Sequence, residues 1–142
     1  IEVREKRGLS YSVYSYLSPR DRAGLHLGGV ATSNASMKDS IAVIKDEWRK
    51  MAENGVSQEE LDAAKKYQTG AYPLRFDGNG RIANQLVGMQ TQDLPIDYPK
   101  TRNDQVNAVT LEDVNNVAKR LMKPDALRFV VVGKPEGLVS TE

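Results

Sequence analysis

Two side chains near the start of this chain, Arg4 and Tyr11, are suited to holding a peptide backbone. A guanidinium donates through a planar fork and a phenol through one O–H, and both bond carbonyl oxygens. Such donors also stabilise an oxyanion as it develops. The seven-residue spacing would be two helical turns if one helix held both residues. The intervening Lys6-Arg7-Gly8 argues otherwise: positive charge suits a helix C-terminus, and Gly8 suits the left-handed stop after it. Residues 1–7 therefore read as the tail of a helix, with Arg4 in its last turns and Tyr11 at the start of the strand that follows. On residue types alone the bland reading is favoured, with Arg4 a solvated cation and Tyr11 a packing ring.

Other chemistry-bearing residues are fewer. Zinc needs three or four close N, S or O ligands, and this chain has one histidine, His26, and no cysteine. No inverted H-x-x-E-H pair occurs. His26 lies between leucines in a strand pattern and reads as a solvated or core-edge histidine. Glu59 and Glu60 read as helix surface and capping residue, and Asp77 as part of a loop. Asp77-Gly78-Asn79-Gly80 lacks the lysine of a phosphate-binding loop, and Gly28-Gly29 reads as a close packing point inside a strand. Tyr11, Tyr14 and Tyr16 could stack bases. Their basic neighbours are few and balanced by acids, so sheet packing is the favoured reading.

The elements that must position these residues follow from periodicity. Residues 10–17 and 23–31 alternate as two strands joined by a Ser18-Pro19-Arg20-Asp21 turn, an antiparallel hairpin. Ile41, Ile44, Trp48 and Met51 recur at helical spacing after Ser36, and Asn54-Gly55 ends that helix. Ser57-Gln58-Glu59-Glu60 is a capping box, with Leu61, Ala64 and Ala71 on one face until Pro73. Ile82, Leu86 and Met89 mark a third helix after the 77–80 loop, and residues 98–108 a short fourth. Thr110 to Asp113 caps a fifth, with Val114, Val117, Ala118 and Leu121 inward. Residues 126–133, with Arg128-Phe129-Val130-Val131-Val132, read as a buried strand. The order is an α+β layer fold rather than alternating α/β units. Residues 1–135 form one domain, and 136–142 a tail or linker.

Composition narrows the classes. At 142 residues and 39% apolar content the chain can build a core without metal or disulfide staples. A net charge of +1, with interspersed signs, gives no reason to expect nucleic acid or an anionic membrane as partner. No apolar run approaches a membrane span.

Four segments resemble one family in register. Arg4-Glu5-Lys6-Arg7-Gly8-Leu9-Ser10-Tyr11-Ser12-Val13 is similar to the R-E-x-x-G-L-x-Y-x-V segment in the C-terminal domains of insulinase/pitrilysin-type zinc peptidases and mitochondrial processing peptidase-like proteins. Residues 56–65 resemble that family's V-(T/S)-x-E-E-L-x-x-A-K helix entry, residues 107–114 its x-x-V-T-x-E-D-V entry, and residues 130–133 its closing strand. The resemblance spans the chain to about Gly133.

The resemblance implies a metallopeptidase-like domain of the LuxS/processing-peptidase type, a mixed or antiparallel sheet with helices on one face. It also implies that a first strand and helix lie before Ile1. Two such domains or subunits, in a homo- or heterodimer, enclose a chamber. One carries zinc; the other lacks metal and grips the substrate backbone. Arg4 and Tyr11 match the gripping pair, so the resemblance assigns them to substrate binding and leaves this chain no metal ligand. Zinc, its activated water and the general base would come from a zinc-bearing partner of the same fold, and this chain alone would be inactive. The alternatives are an inactive structural or assembly subunit of the same fold, or a peptide-binding module. A bacterial periplasmic location is expected, with the cytoplasm as alternative.

Overall fold

The computed structural model describes residue 10 and residues 12–20 and 22–140. Among these residues, strands β1 (Ser12–Ser18) and β2 (Leu25–Ala31) precede five helices. The helices are α1 (Met37–Asn54), α2 (Gln58–Ala71), α3 (Asn79–Thr91), α4 (Tyr98–Ala108) and α5 (Leu111–Leu121), with 3-10 turns at Pro73–Phe76 and Pro124–Ala126. The α+β class expected from the sequence is the class observed. The chain divides into two compact units, Ile1–Glu53 with Met122–Glu142, and Asn54–Leu121.

In the first unit β1 and β2 pair antiparallel, from Ser12 opposite Ala31 to Ser18 opposite Leu25. The pleat puts Val13, Ser15 and Leu17 on one face with Val30, Gly28 and His26. This is the face on which α1 lies: His26 stacks on Trp48 with 5.1 Å between ring centroids. Tyr14 and Tyr16 occupy the other face, 6.3 Å apart. A Cβ on Gly29 would come within 2.7 Å of the Tyr14 hydroxyl, so glycine there lets the phenol ring lie across the partner strand. At the open end of the hairpin Ser10 is buried. Its hydroxyl accepts from the Ser12 N–H at 3.1 Å and donates toward the Ala31 carbonyl at 2.9 Å.

One expected element is absent. Residues 126–133 do not form a strand: Pro124–Ala126 is a 3-10 turn, and residues 127–132 run on without a ladder. The residue types are those of a strand, but strand pairing needs a hydrogen-bonded neighbour, and neither β1 nor β2 pairs with this run. The side chains nevertheless alternate. Leu127 and Val131 are half-buried, while Val130 and Val132 are 92% and 94% exposed.

The second unit is helical. Ser57 and Glu60 make the expected capping box at α2. Thr110 and Asp113 do the same at α5, with N–H to side-chain oxygen distances of 2.9 and 3.1 Å. Gly55 adopts φ +67° between α1 and α2. Pro73 ends α2 as expected, because it lacks an N–H to continue the ladder. The loop expected over 77–80 is shorter, since Asn79 already opens α3 behind Gly78. On α5 only Ala118 is buried, whereas Val117 and Leu121 are 45% and 52% exposed.

Candidate functional site

Arg4 and Tyr11 lie outside the described residues. Tyr11 immediately precedes Ser12, the first residue of β1. The remaining candidates are dispersed. Glu60 accepts from the Ser57 N–H at 2.9 Å and Ser57 caps in return, so Glu60 is occupied as a helix cap. Glu59 and Asp77 are exposed. Among the described residues no three His, Cys, Asp or Glu side chains are grouped so as to hold a metal ion.

The first unit contains a cavity of about 680 Å³. Its walls are the hairpin, the Ile41-Ile44-Trp48 face of α1, and residues 127–132. Sequence periodicity marked that face of α1 as core. The structure instead buries Ser40 and Val43, leaving Ile41, Ile44 and Trp48 half-buried on the cavity wall. Ser40 tolerates complete burial because its hydroxyl donates to the Ser36 carbonyl at 2.9 Å. The cavity is mainly apolar and aromatic, with Tyr14, His26, Glu47 and Arg128 as the titratable groups in its lining. The Lys45 ammonium sits 5.8 Å from the Phe129 ring centroid. The His26–Trp48 stack had no separate signal in the sequence, because it depends on how the helix crosses the hairpin.

Polar and cationic contacts organise the second unit. Arg102 on α4 donates to the Gln68 carbonyl at 2.9 Å and to Gln68 Oε1 at 3.1 Å, with its guanidinium 4.4 Å from the Tyr72 ring centroid. Gln68 lies in the last turn of α2, where carbonyls lack helical partners. Asn103 donates to Thr69 O at 3.3 Å, and Lys65 to Asn107 O at 2.8 Å. Tyr72 is buried, and burial pushes its phenol pKa above the usual value against the opposing charge of Arg102. These contacts join α2 to α4.

The family model described as the peptidase M16 inactive domain matches residues 1–67. This chain belongs to the peptidase M16 family. The insulinase/pitrilysin-type resemblance read from the four motifs is thereby borne out. The non-peptidase homolog YmxG of Helicobacter pylori is 28% identical over 131 residues, covering 92% of this chain and 30% of that protein. An uncharacterized zinc protease of Streptomyces coelicolor is 30% identical over 124 residues, covering 85% of this chain and 26% of that protein. A crystal structure of the peptidase M16 inactive domain from Pseudomonas fluorescens superposes with a TM-score of 0.74 at 31% identity, over 87% of this chain and 29% of that one. The chain thus spans less than a third of the length of these relatives. It is an M16 domain of the inactive type, found in peptidase-like proteins.

Proposed function

We propose that this M16 domain is the metal-free half of a zinc peptidase. It holds substrate backbone through Arg4 and Tyr11 in a closed chamber and completes the active site of a zinc-bearing M16 domain or subunit. The observation that carries this reading is the span of the inactive-domain match, which begins at residue 1 and crosses both gripping candidates. Tyr11 would donate to the scissile carbonyl and stabilise it as charge develops, while Arg4 would hold a neighbouring carbonyl. Zinc, held by the partner, would supply the activated water. The assembly would be a heterodimer or two joined domains, and its compartment the periplasm.

The test is hydrolysis of a fluorogenic peptide by this chain mixed with a zinc-bearing M16 subunit. Arg4→Ala and Tyr11→Phe should each lower turnover by about a hundredfold or more, with circular dichroism unchanged. Turnover at the parent rate in both variants would end the gripping role. A second reading is an inactive assembly subunit, favoured by the description of the Helicobacter pylori relative as a non-peptidase homolog. It expects no hydrolysis with any zinc-bearing half, and a stable complex that survives both substitutions.

A further inference from the structure

We propose that Asn79 is a modification site, where attack by the Gly80 backbone converts the side-chain amide to a carboxylate at the start of α3. The Gly80 nitrogen bonds to Asn79 Cγ and gives up its proton to solvent, and the side-chain nitrogen leaves as ammonia. The five-membered imide then takes up one water molecule. Opening at Cγ leaves an aspartate in a normal chain. Opening at the backbone carbonyl carries the chain through Cγ, as isoaspartate. No electron is transferred, and water is the only co-reactant.

The chain has two Asn-Gly pairs, Asn54-Gly55 and Asn79-Gly80, and in each the glycine has no Cβ to obstruct the attack. The structure separates them. At the second pair the nucleophile is free: the first helical bond of α3 runs from the Ile82 N–H to the Gly78 carbonyl, and the Gly80 N–H precedes it, among the donors that a helix leaves unpaired. Asn79 and Gly80 are both exposed, and no atom lies within 4 Å of where a Gly80 Cβ would stand. Asn79 is the first residue of α3, so the rotation that brings Cγ to the Gly80 nitrogen opens only the terminal turn, the least costly opening in a helix. Asn54-Gly55 is held instead. Gly55 is half-buried against the Asn115 side chain, whose Oδ1 accepts from the Val56 N–H at 2.8 Å. Rotating the peptide between Asn54 and Gly55 would break that bond and turn Gly55 out of its φ of +67°.

The two products act on α3 in opposite ways. The helix has no acidic residue in its first turn, and its N-cap Gly78 supplies no side-chain bond. An aspartate at position 79 places a negative charge on the positive end of the helix and strengthens its start. Isoaspartate adds a carbon to the backbone there, so the first turn is lost and the helix begins later.

The 142-residue chain is held in warm, mildly alkaline buffer, one sample folded and one unfolded in guanidinium. Peptide mapping by mass spectrometry follows the loss of each asparagine, with fragmentation that tells aspartate from isoaspartate. Unfolded, the two pairs should react alike. Folded, Asn79 should be lost about tenfold faster than Asn54, because only Gly55 is tied down. Gly80→Ala, which a helix accommodates, should suppress the loss at Asn79 and leave that at Asn54 unchanged. Asn79→Asp should raise the midpoint for thermal loss of the helical signal, and Asn79→Gln should not. Equal losses at both sites in the folded chain, or faster loss at Asn54, would overturn the proposal. So would a folded chain that keeps both asparagines while the unfolded chain loses them. A midpoint unmoved by Asn79→Asp would remove the claimed strengthening of α3.

Discussion

Residues 54–121 cap α2 and α5 from within, whereas the hairpin unit leaves the apolar face of α1 half-buried beside a cavity and, among the described residues, the backbone of 128–132 without a hydrogen-bonded neighbour. Of the five apolar side chains buried among the described residues, Leu61, Tyr72, Met89 and Ala118 belong to the helical unit. Only Val43 belongs to the other. The contrast is one of interaction range. Capping boxes and helix-to-helix carbonyl bonds join residues that the helical unit itself contains. A sheet needs neighbours that can come from anywhere along a polypeptide. The helical unit therefore holds most of the buried apolar side chains, and the apolar face of α1 in the hairpin unit stays half-buried.

The largest effect should separate the two units directly. Leu61→Ala removes a 7% exposed side chain and should cost about 2–5 kcal/mol, read as loss of helical signal in urea. Ile44→Ala, on the open cavity wall, should cost about 1 kcal/mol or less, because water already reaches that face. Equal losses would break the comparison and mean that the α1 stripe is a finished core.

Next in size is the entry to α2. Asn115 Oδ1 accepts from the Val56 N–H at 2.8 Å, across 59 residues of sequence. Asn115→Ala should cost about 1–3 kcal/mol by leaving that part-buried donor unpaired. Gly55→Ala should also destabilise. The new Cβ would collide with the Asn115 side chain, and φ +67° strains any L side chain. Combining the two substitutions should restore part of the loss by removing the collision, a non-additivity that thermal unfolding would detect.

A smaller effect is expected at Arg102. Its truncation releases one terminal carbonyl of α2 and the contact with the Tyr72 ring. Arg102→Ala should cost about 1–2 kcal/mol, and Arg102→Lys should recover only part of it, since an ammonium lacks the fork that reaches both Gln68 oxygens. Full recovery by lysine would reduce the role of Arg102 to charge alone.

The same contrast explains what could be read from residue order. The Ser57 and Thr110 boxes and the Pro73 stop were legible because each signal spans three or four residues. The hairpin was legible because two runs rich in tyrosine, valine and leucine flank the Ser18-Pro19-Arg20-Asp21 turn signal. The 98–108 helix was expected at its observed bounds despite a weak apolar stripe. Residues 126–133 misled for the opposite reason. Phe129-Val130-Val131-Val132 carries strand propensity, but propensity does not provide a ladder partner. Trp48 was assigned correctly to the apolar face of α1, yet nothing local showed that this face would border a cavity. For Arg4 and Tyr11 the sequence supplied residue types and a family motif. Their geometry lies outside the described residues, so the motif alone carries them.

The smallest effect concerns pH and tests whether the helical unit is held by its caps. The Thr110 hydroxyl and backbone N–H both donate to the Asp113 carboxylate, at 2.6 and 2.9 Å. The hydroxyl bond first, then the backbone bond, holds the Asp113 pKa below the usual carboxylate value. A folded pKa lowered in this way means that the unfolded chain takes up the proton first. The stabilisation from Asp113 is therefore complete above the unfolded value of about 4 and fades as pH falls through the lower folded value. Thr110→Ala should cost about 1 kcal/mol at neutral pH and flatten that acid dependence, because it removes the hydroxyl bond that contributes most to the shift. Asp113→Asn should flatten it as well, while keeping an oxygen that can accept from the Thr110 N–H. Acid titration of the helical signal in the three proteins decides the matter. Parallel curves would mean that the fifth helix is anchored by packing around Ala118 instead of by its cap. The helical unit would then depend on distant contacts as much as the hairpin unit does.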